Sequence, residues 1–474
     1  MDHKAVIIGS GPNGLACGIA LAQAGLRVEI FESAKVAGGG MRTEELTLPG
    51  FHHDVFSTAY PMAAISPYFQ KLPLKNYGLE WVHSPAVLAH PFDDSTAALL
   101  YKSLKDTSER LGRDEKKYFE FFQPLVDQSD FLMDEILRPV FHLPKHFWLL
   151  SRFGFNALKS AERLAALYYE EKTKGLWGGI AAHSATALTS LASSAPGLAL
   201  QVAAHAVGWP IAKGGAGKLA QALISYFNSL GGVIHTGIRI TDLKQLPPAD
   251  LVFFDLSPPQ ISKIGREELN ARVQKKLKSF RPGNGVFKMD WALDGPIPWA
   301  SADASKAAIV HLGGSFDEVK ESQEALKSGR VSSKPYVLLG QPTPFDPTRA
   351  PLNKHVAWAY CHVPNGDPTD ISGYIENQIE RFAPGFKKII LKRSVLNTLD
   401  LEGKNQNLIG GDLSGGLTEG IHLLFRPGLR LINPYAIDGK KFWICSSSTP
   451  PGPGVHGMCG FHAARSALRT LTKI

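Results

Sequence analysis

The chain has 474 residues, 44% of them hydrophobic, and a formal net charge of +8. This length is more than one simple core needs, so two intertwined domains are expected. The Lys and Arg residues are dispersed rather than clustered, which argues against nucleic-acid binding. The cysteines form neither a C-x-x-C pair nor a metal-ligand spacing, so a disulfide redox centre and a metal site are both disfavoured.

Two features of the sequence bear on location. The chain begins directly with the apolar residues 5–8, without the charged leader and apolar core of a secretory signal peptide. Segment 175–212 carries no formal charge, but Gly, Pro, Ser and Thr residues interrupt it before any apolar run reaches membrane-spanning length. We therefore expect a cytoplasmic protein.

The N-terminal segment has the pattern of a βαβ unit, with a strand at 5–8, a helix at 12–24 and a strand at 28–31. The intervening turn has the Gly-x-Gly-x-x-Gly spacing that lets a pyrophosphate approach the backbone at a helix N-terminus. Glu32 ends the second strand, where a carboxylate accepts hydrogen bonds from an adenosine ribose. The residues predicted to bind the dinucleotide here are Gly9, Gly11, Pro12, Asn13, Gly14, Glu32 and Ser33.

A second glycine turn lies at 38–43, and a backbone and an arginine at this point can reach the diphosphate from its other side. We predict that Gly39, Gly40, Met41 and Arg42 belong to the same site.

Further along, apolar residues recur at helical spacing through 100–172, which predicts a helical insertion. The α/β pattern then returns, and we place Ile238 in the strand that follows Gly232. The other predicted elements are a helix at 218–229, strands at 232–235, 251–254, 286–291 and 356–360, a helix near 371–382, a strand at 442–445 and a helix near 455–471. The strands at 286–291 and 356–360 indicate a second sheet.

The stretch 446–460 follows the last predicted strand and opens the last helix. It resembles the C-terminal FAD motif of the phytoene desaturase-like flavoproteins. The turn at 38–43 resembles the two-glycine motif of FAD-containing amine oxidases and carotene desaturases, although 34–37 lacks the arginine that often precedes it. Further matches follow in order at 208–210, 213–217, 410–412 and 425–427, so the resemblance covers most of the chain.

This resemblance implies an α/β fold with FAD as the cofactor. It further implies a discontinuous Rossmann-like FAD-binding domain (1–65, 206–284 and 405–474). An inserted α+β substrate domain, with a mixed sheet and a helical lid, would occupy 66–205 and 285–404. By the same resemblance, Ser447, Gly454, Val455 and Met458 would contact the flavin, and Ile238 would contact the adenine through its backbone.

Four side chains are candidates for catalysis. His183, His205 and His456 could exchange a proton near neutral pH. Asp412 is a carboxylate in a glycine-rich segment near the predicted flavin, where capping of a loop is as reasonable a role as chemistry. Each histidine could equally be a neutral group satisfied in a polar pocket.

The segment 138–152 mixes aromatic and cationic residues. It could contact an anionic bilayer surface as a peripheral membrane segment, or it could be an amphipathic lid helix packed on the protein.

The leading functional hypothesis is an oxidoreductase, that is, a dehydrogenase or desaturase. It would transfer hydride from a hydrophobic polyene, amine or acyl-like substrate to flavin N5, with oxygen or a quinone as electron acceptor. A flavin-dependent isomerase without net redox and an FAD-bound scaffold protein remain alternatives, and the oligomeric state is left open.

Overall fold

A computed structural model gives the fold of residues 3–420, 422 and 425–471. The strands are β1 Lys4–Ile8, β2 Arg27–Phe31, β3 Thr43–Glu44, β4 His53–Asp54, β5 Trp81–Val82, β6 Ala86–Pro91, β7 Ala97–Leu100, β8 Ile211–Ala212, β9 Val233–His235, β10 Leu251–Phe254, β11 Gly285–Leu293, β12 Ala307–Leu312, β13 Val337–Gly340, β14 His355–Val363, β15 Ile390–Leu396 and β16 Phe442–Ile444. The helices are α1 Pro12–Gln23, α2 Pro61–Ala64, α3 Leu104–Ser108, α4 Glu115–Val126, α5 Ser129–Ile136, α6 Phe147–Ala157, α7 Ala161–Ala165, α8 Glu171–Ala181, α9 Ser194–Val207, α10 Ala216–Ser229, α11 Pro258–Ile264, α12 Ala271–Lys278, α13 Phe316–Ala325, α14 Ser372–Phe382, α15 Thr398–Lys404 and α16 Met458–Leu471.

The first large sheet is parallel throughout, with the strand order β16-β10-β1-β2-β9. Its central strands read as nearly continuous apolar runs because helices cover both faces of the sheet. The register pairs Ile8 with Phe31 on one side and with Phe254 on the other. The carboxyl ends of β1, β2 and β10 therefore meet at one edge, where ligands bind in open parallel sheets.

Helix α1 packs against α16 and α10 on this sheet. The contact with α16 is close because small buried residues, among them Ala463, Ala464 and Ala467, face α1 within one core. The N-terminal and C-terminal segments of the chain are thereby joined in one layer. No helix in the described parts of the chain is both long and apolar enough to cross a lipid bilayer.

The second large sheet has the order β15-β11-β14-β13-β12-β6-β7, in which only β12 and β6 are parallel neighbours. It has a core of its own, in which Phe287, Met289 and Trp291 of β11 pack with Ile375 and Ile379 of α14. The predicted α/β class, with a parallel Rossmann-like sheet and a mixed second sheet, is confirmed. The residue limits proposed for the two domains stay a prediction.

The prediction that Ile238 lies in a strand was wrong. The edge strand β9 ends at His235, and residues 238–240 continue without sheet pairing. β9 is an edge strand with β2 as its single neighbour, so extending it to residue 238 would add hydrogen bonds and side-chain packing on one side only. The backbone of Ile238 nevertheless stays near β2, since its N–H donates to the Glu32 carbonyl at 2.9 Å.

Candidate functional site

The glycine turn after β1 lies at the carboxyl edge of the parallel sheet. Gly9 has a φ of 99°, and a Cβ on it would lie 2.8 Å from the Asp255 carbonyl, so no other residue fits without strain. Helix α1 begins at Pro12, and Gly11 serves as its N-cap without a side-chain hydrogen bond. The side chain of Asn13 is buried, and its Oδ1 has no hydrogen-bond partner among the described residues. No side chain of the turn itself caps this helix N-terminus, and such a terminus favours an anionic group.

Asp255 lies beneath this turn and was missed by the sequence analysis. Its Oδ2 accepts a hydrogen bond from the Gly14 N–H at 2.9 Å. Burial raises the pKa of its carboxyl group to about 7, and the nearby charge of Glu32 adds to the effect. In the sequence, Asp255 could have been noticed because it directly follows the apolar run Leu251–Phe254. That run forms the strand β10, which pairs with β1.

Glu32 ends β2 beside the same turn, as predicted. Its Oε2 accepts hydrogen bonds from the Ser10 N–H at 3.0 Å and the Ser10 hydroxyl at 2.7 Å. Its Oε1 accepts from the Ala34 N–H at 2.8 Å and from the Ser33 hydroxyl at 3.3 Å. The Ile238 N–H donates to the backbone carbonyl of Glu32. Glu32, Ser33 and Ile238, the residues predicted to lie around an adenosine, are therefore neighbours.

The second glycine turn packs against the first. A Cβ on Gly39 would lie 2.7 Å from the Gly11 Cα, so the two turns are in direct backbone contact. The α-carbon of Gly40 faces open space instead, with no heavy atom within 4 Å of a Cβ built there. Met41 is fully buried below them. The predicted neighbourhood of the two glycine motifs is therefore present.

Arg42 is anchored by a backbone carbonyl and an aromatic ring. Its guanidinium donates to the Lys404 carbonyl at 3.2 Å and lies 5.2 Å from the centre of the Phe56 ring. Its buried Nε has no hydrogen-bond partner among the described residues. The side chain therefore keeps one donor for a ligand while its outer nitrogen is fixed by the protein.

Met458 is the first residue of α16, and His456 lies two residues before it. The Nδ1 of His456 accepts a hydrogen bond from the Met458 N–H at 3.0 Å, so the ring proton belongs on Nε2. Burial lowers the pKa of His456 to about 4, which keeps the ring neutral at physiological pH. Its Nε2 is buried without a hydrogen-bond partner in the described chain. His456 therefore presents an unused neutral donor at a helix N-terminus.

The loop before α16 is strained at the position predicted to contact flavin. Val455 has a φ of 56°, a conformation that a β-branched residue rarely adopts. The neighbouring Gly454 is exposed, and a Cβ on it would lie 3.4 Å from the Met62 Cβ. Further along α16, a Cβ on Gly460 would lie 1.9 Å from the Asn13 carbonyl oxygen. The C-terminal motif is thereby brought against the helix that follows the first glycine turn.

Asp412 is engaged entirely by backbone groups. Its carboxylate accepts hydrogen bonds from the N–H groups of Gly283 at 2.9 Å, Ser414 at 2.6 Å and Gly416 at 2.7 Å. Burial raises its pKa, while these hydrogen bonds act in the opposite direction. The loop that it organises packs on Ser447, because a Cβ on Gly415 would lie 2.5 Å from the Ser447 hydroxyl. This is the geometry of loop capping.

The other two candidate histidines lie apart from each other. His183 is half-buried, and its Nε2 is 3.0 Å from the Nε2 of His311 on β12. His205 is buried between helices, where its Nε2 is 2.7 Å from the Tyr118 hydroxyl. Burial lowers the pKa of His183 to about 3 and that of His205 to about 4. The structure thus unites the three glycine-rich motifs but does not bring the four candidate catalytic residues into one group.

Residues 7–72 match the family model of the NAD(P)-binding Rossmann-like domain. The chain contains a Rossmann-like dinucleotide-binding domain. A rat relative, pyridine nucleotide-disulfide oxidoreductase domain-containing protein 2, is 25% identical over 554 aligned residues that cover 99% of this chain and 94% of the relative. The 4,4′-diapolycopene oxygenase of Methylomonas sp. is 23% identical over 407 residues, which cover 77% of each protein.

Solved structures share the arrangement of the Rossmann-like domain and the second sheet. An oxidoreductase from Methanosarcina mazei has a TM-score of 0.66 at 15% identity and covers 98% of this chain and 100% of its own. Cyclohexylamine oxidase from Brevibacterium oxydans has a TM-score of 0.58 at 13% identity and covers 100% of both chains. At these identities the likeness establishes the fold. The predicted resemblance to the amine oxidase and carotene desaturase group of oxidoreductases is confirmed.

Proposed function

We propose that this protein is an FAD-dependent oxidoreductase that removes hydride from a hydrophobic substrate. The observation that supports it best is the meeting of three motifs that are far apart in the sequence. Gly39 lies against Gly11, and Gly460 lies against Asn13, so both later motifs converge on the start of α1. A nicotinamide dinucleotide needs only the first of these motifs, whereas FAD uses all three in the families that this chain resembles.

The side chains around this point fit FAD. The glycine turn at the N-terminus of α1 suits the diphosphate, and Glu32 would accept from the ribose hydroxyls in place of the Ser10 and Ser33 hydroxyls. Within the glycine-rich motifs, Asn13 Oδ1 and His456 Nε2 are buried without a partner among the described residues. A ligand bound between these motifs would complete the hydrogen bonding of both atoms.

Bound FAD would supply the hydride acceptor, and the protein would bind, orient and exclude water. His456 would offer its Nε2–H as a neutral donor, because its Nδ1 is held by the Met458 N–H. The N-terminus of α16 would favour negative charge on an adjacent ring. His183 is the candidate for accepting a substrate proton transiently, because burial lowers its pKa to about 3 and keeps the ring neutral before the transfer.

The hydrophobic substrate class is supported by the aromatic surroundings of His183, since the rings of Trp209 and His311 lie 5.4 Å and 5.0 Å away. Two comparison proteins are named as a diapolycopene oxygenase and a cyclohexylamine oxidase. Polyenes and amines are therefore the first compounds to test, followed by acyl compounds. Oxygen and quinones are the proposed electron acceptors.

The test uses the purified full-length protein. We expect a flavin absorbance spectrum, and we expect it to bleach anaerobically with one class of candidate substrate. Glu32→Gln should weaken FAD binding about tenfold, because a neutral amide is a poorer acceptor than a carboxylate. Glu29→Gln is the matched control on the same strand, where Glu29 pairs with Lys4 at 2.6 Å away from the turn, and it should bind FAD normally.

Each other result has a defined meaning. A colourless protein that takes up no FAD would overturn the proposal entirely. A yellow protein that turns over substrate without any electron acceptor would be an isomerase. Stoichiometric FAD that no polyene, amine or acyl compound reduces would favour a scaffold protein over an oxidoreductase.

A further inference from the structure

Helix α6 has its apolar residues on both faces. Leu149, Phe153 and Ala157 recur every four residues and are buried against the protein. The opposite face carries Phe147, Trp148, Phe155 and Leu158, which are 57%, 83%, 70% and 51% exposed. A surface helix of a water-soluble protein normally turns polar residues outward. The outward face of α6 is therefore built for contact with something apolar.

This apolar surface continues beyond α6 onto two loops. Phe141 and Leu143 precede the helix and are 51% and 92% exposed. The Phe141 ring lies 5.6 Å from the Phe425 ring, and both line a shallow cleft with Leu431. The next residue, Ile432, is 89% exposed. We call the combined surface the aromatic face; its members are Phe141, Leu143, Phe147, Trp148, Phe155, Leu158, Leu431 and Ile432.

Cations flank the aromatic face in the sequence, and the acidic side chain of Asp134, shortly before it, is already paired with Arg138. Residues 136–161 include Arg138, Lys145, Arg152 and Lys159 but no Asp or Glu. In residues 425–437 the exposed cation is Arg430, and this segment has no acidic residue. Concentrated exposed apolar groups mark interaction sites, and a rim of cations selects an anionic partner.

We infer that the aromatic face docks on an anionic phospholipid bilayer. Helix α6 would lie in the plane of the interface with Trp148 and Phe155 among the acyl chains, while Lys145 and Arg152 would contact lipid phosphates. A second copy of the chain fits less well, because a twofold contact that pairs the α6 helices would bring Lys145 and Arg152 of one copy towards the same cations of the other. The inference depends on surface chemistry alone and stands independently of FAD binding.

The location of the face gives the docking a use. Pro450, within the C-terminal glycine-rich motif, lines the same cleft as Phe141 and Leu431. A bilayer held there would lie next to the loop that carries the proposed flavin contacts. A substrate dissolved in lipid would then enter without crossing water.

The experiment is vesicle flotation of the full-length protein. Vesicles of phosphatidylcholine alone are compared with vesicles of phosphatidylcholine and phosphatidylglycerol, at low and high sodium chloride. We expect flotation with the anionic vesicles and its reduction by salt. Trp148→Ser with Phe155→Ser should reduce binding at least about tenfold, and Lys145→Gln with Arg152→Gln should remove the preference for anionic vesicles.

The matched control is Leu352→Ser, which alters an 89% exposed apolar side chain outside the aromatic face and should float like the parent protein. Trp148 fluorescence provides a second readout, which is measured on the unmodified protein as it binds vesicles. Emission should shift to the blue on addition of anionic vesicles, and Trp148→Phe should remove most of that shift. Absence of flotation would overturn the inference, as would equal flotation of the Ser double variant. Light scattering that shows a dimer dependent on Trp148, without flotation, would assign the face to a second copy.

Discussion

A single methyl group added at Gly460 should separate the two helices on which the proposed cofactor site depends. Gly460 is the third residue of α16, and its α-carbon faces the backbone of α1. A Cβ at this position would lie 1.9 Å from the Asn13 carbonyl oxygen and 2.9 Å from the Cys17 nitrogen. Both neighbours are backbone atoms of a buried helix, so no side-chain rotation can relieve the overlap.

The magnitude follows from this geometry. Helix α16 would have to move about 1.5 Å away from α1 to reach ordinary contact, and the buried alanines beside Gly460 would then lose their packing. Overpacking of this kind costs about 3 kcal/mol or more, whereas the better helix propensity of Ala returns about 1 kcal/mol. We expect Gly460→Ala to lower the free energy of unfolding by at least about 2 kcal/mol and to reduce the bound flavin.

Gly154→Ala is the matched control. Gly154 lies inside α6, with no heavy atom within 4 Å of a Cβ built on it. The same substitution should therefore stabilise the protein by about 0.5–1 kcal/mol through helix propensity alone. Urea unfolding midpoints and flavin absorbance per protein measure both effects. A Gly460→Ala protein with the stability and flavin content of the parent would refute the argument that α1 and α16 are locked by backbone contact.

Two further predictions concern buried charges. The pKa of Asp255 is raised from 3.8 to about 7, so the folded state holds this proton more tightly; the resulting stability is lost as pH rises from about 4 to 7, by an amount on the order of 4 kcal/mol. Asp255→Asn should keep the acceptor for Gly14, and its stability should depend less on pH; a free energy of unfolding that falls as steeply as the parent's between pH 4 and 7 would contradict this. Lys288 donates to Asp290 at 2.6 Å inside β11, so Asp290→Asn should cost about 3–5 kcal/mol by leaving the ammonium without its counter-charge. Lys288→Met with Asp290→Leu should recover most of that loss in the same urea assay, and a double variant as unstable as the single one would argue against the pairing.

The first βαβ unit could be predicted because its signals are local. The glycine spacing, the apolar strand and Glu32 all lie within one short stretch, and each constrains the next. Asp255 could not be assigned in the same way, since it meets Gly14 across 241 residues of sequence. Only the parallel pairing of β1 with β10 brings an acid at the end of a later strand beneath the turn. Its position after an apolar run was visible, but its partner was not.

The candidate histidines illustrate the same limit. Every histidine side chain can titrate near neutral pH, so residue type alone made His183, His205 and His456 equally good candidates. Their different environments arise from tertiary contacts, because His205 meets Tyr118 across 87 residues and His183 meets His311 across 128. For Ile238, β propensity favoured a strand, but the edge strand ends at His235. Residue type predicts which groups can do chemistry, and only the packing determines which of them face a ligand.

The segment led by Asp412 connects the two halves of the proposed site. Asp412 fixes the backbone of this segment, Gly415 packs on Ser447 of the C-terminal motif, and the Thr418 hydroxyl donates to the Ser184 carbonyl at 2.9 Å. Ser184 is the residue after His183. One loop therefore sets the position of the C-terminal motif relative to the His183 region. A proton transfer between substrate and protein would need this relative position to be constant within a fraction of an ångström. We interpret Asp412 as a positioning residue for this reason, because its oxygens already receive three backbone N–H groups and have little capacity left for a reacting proton.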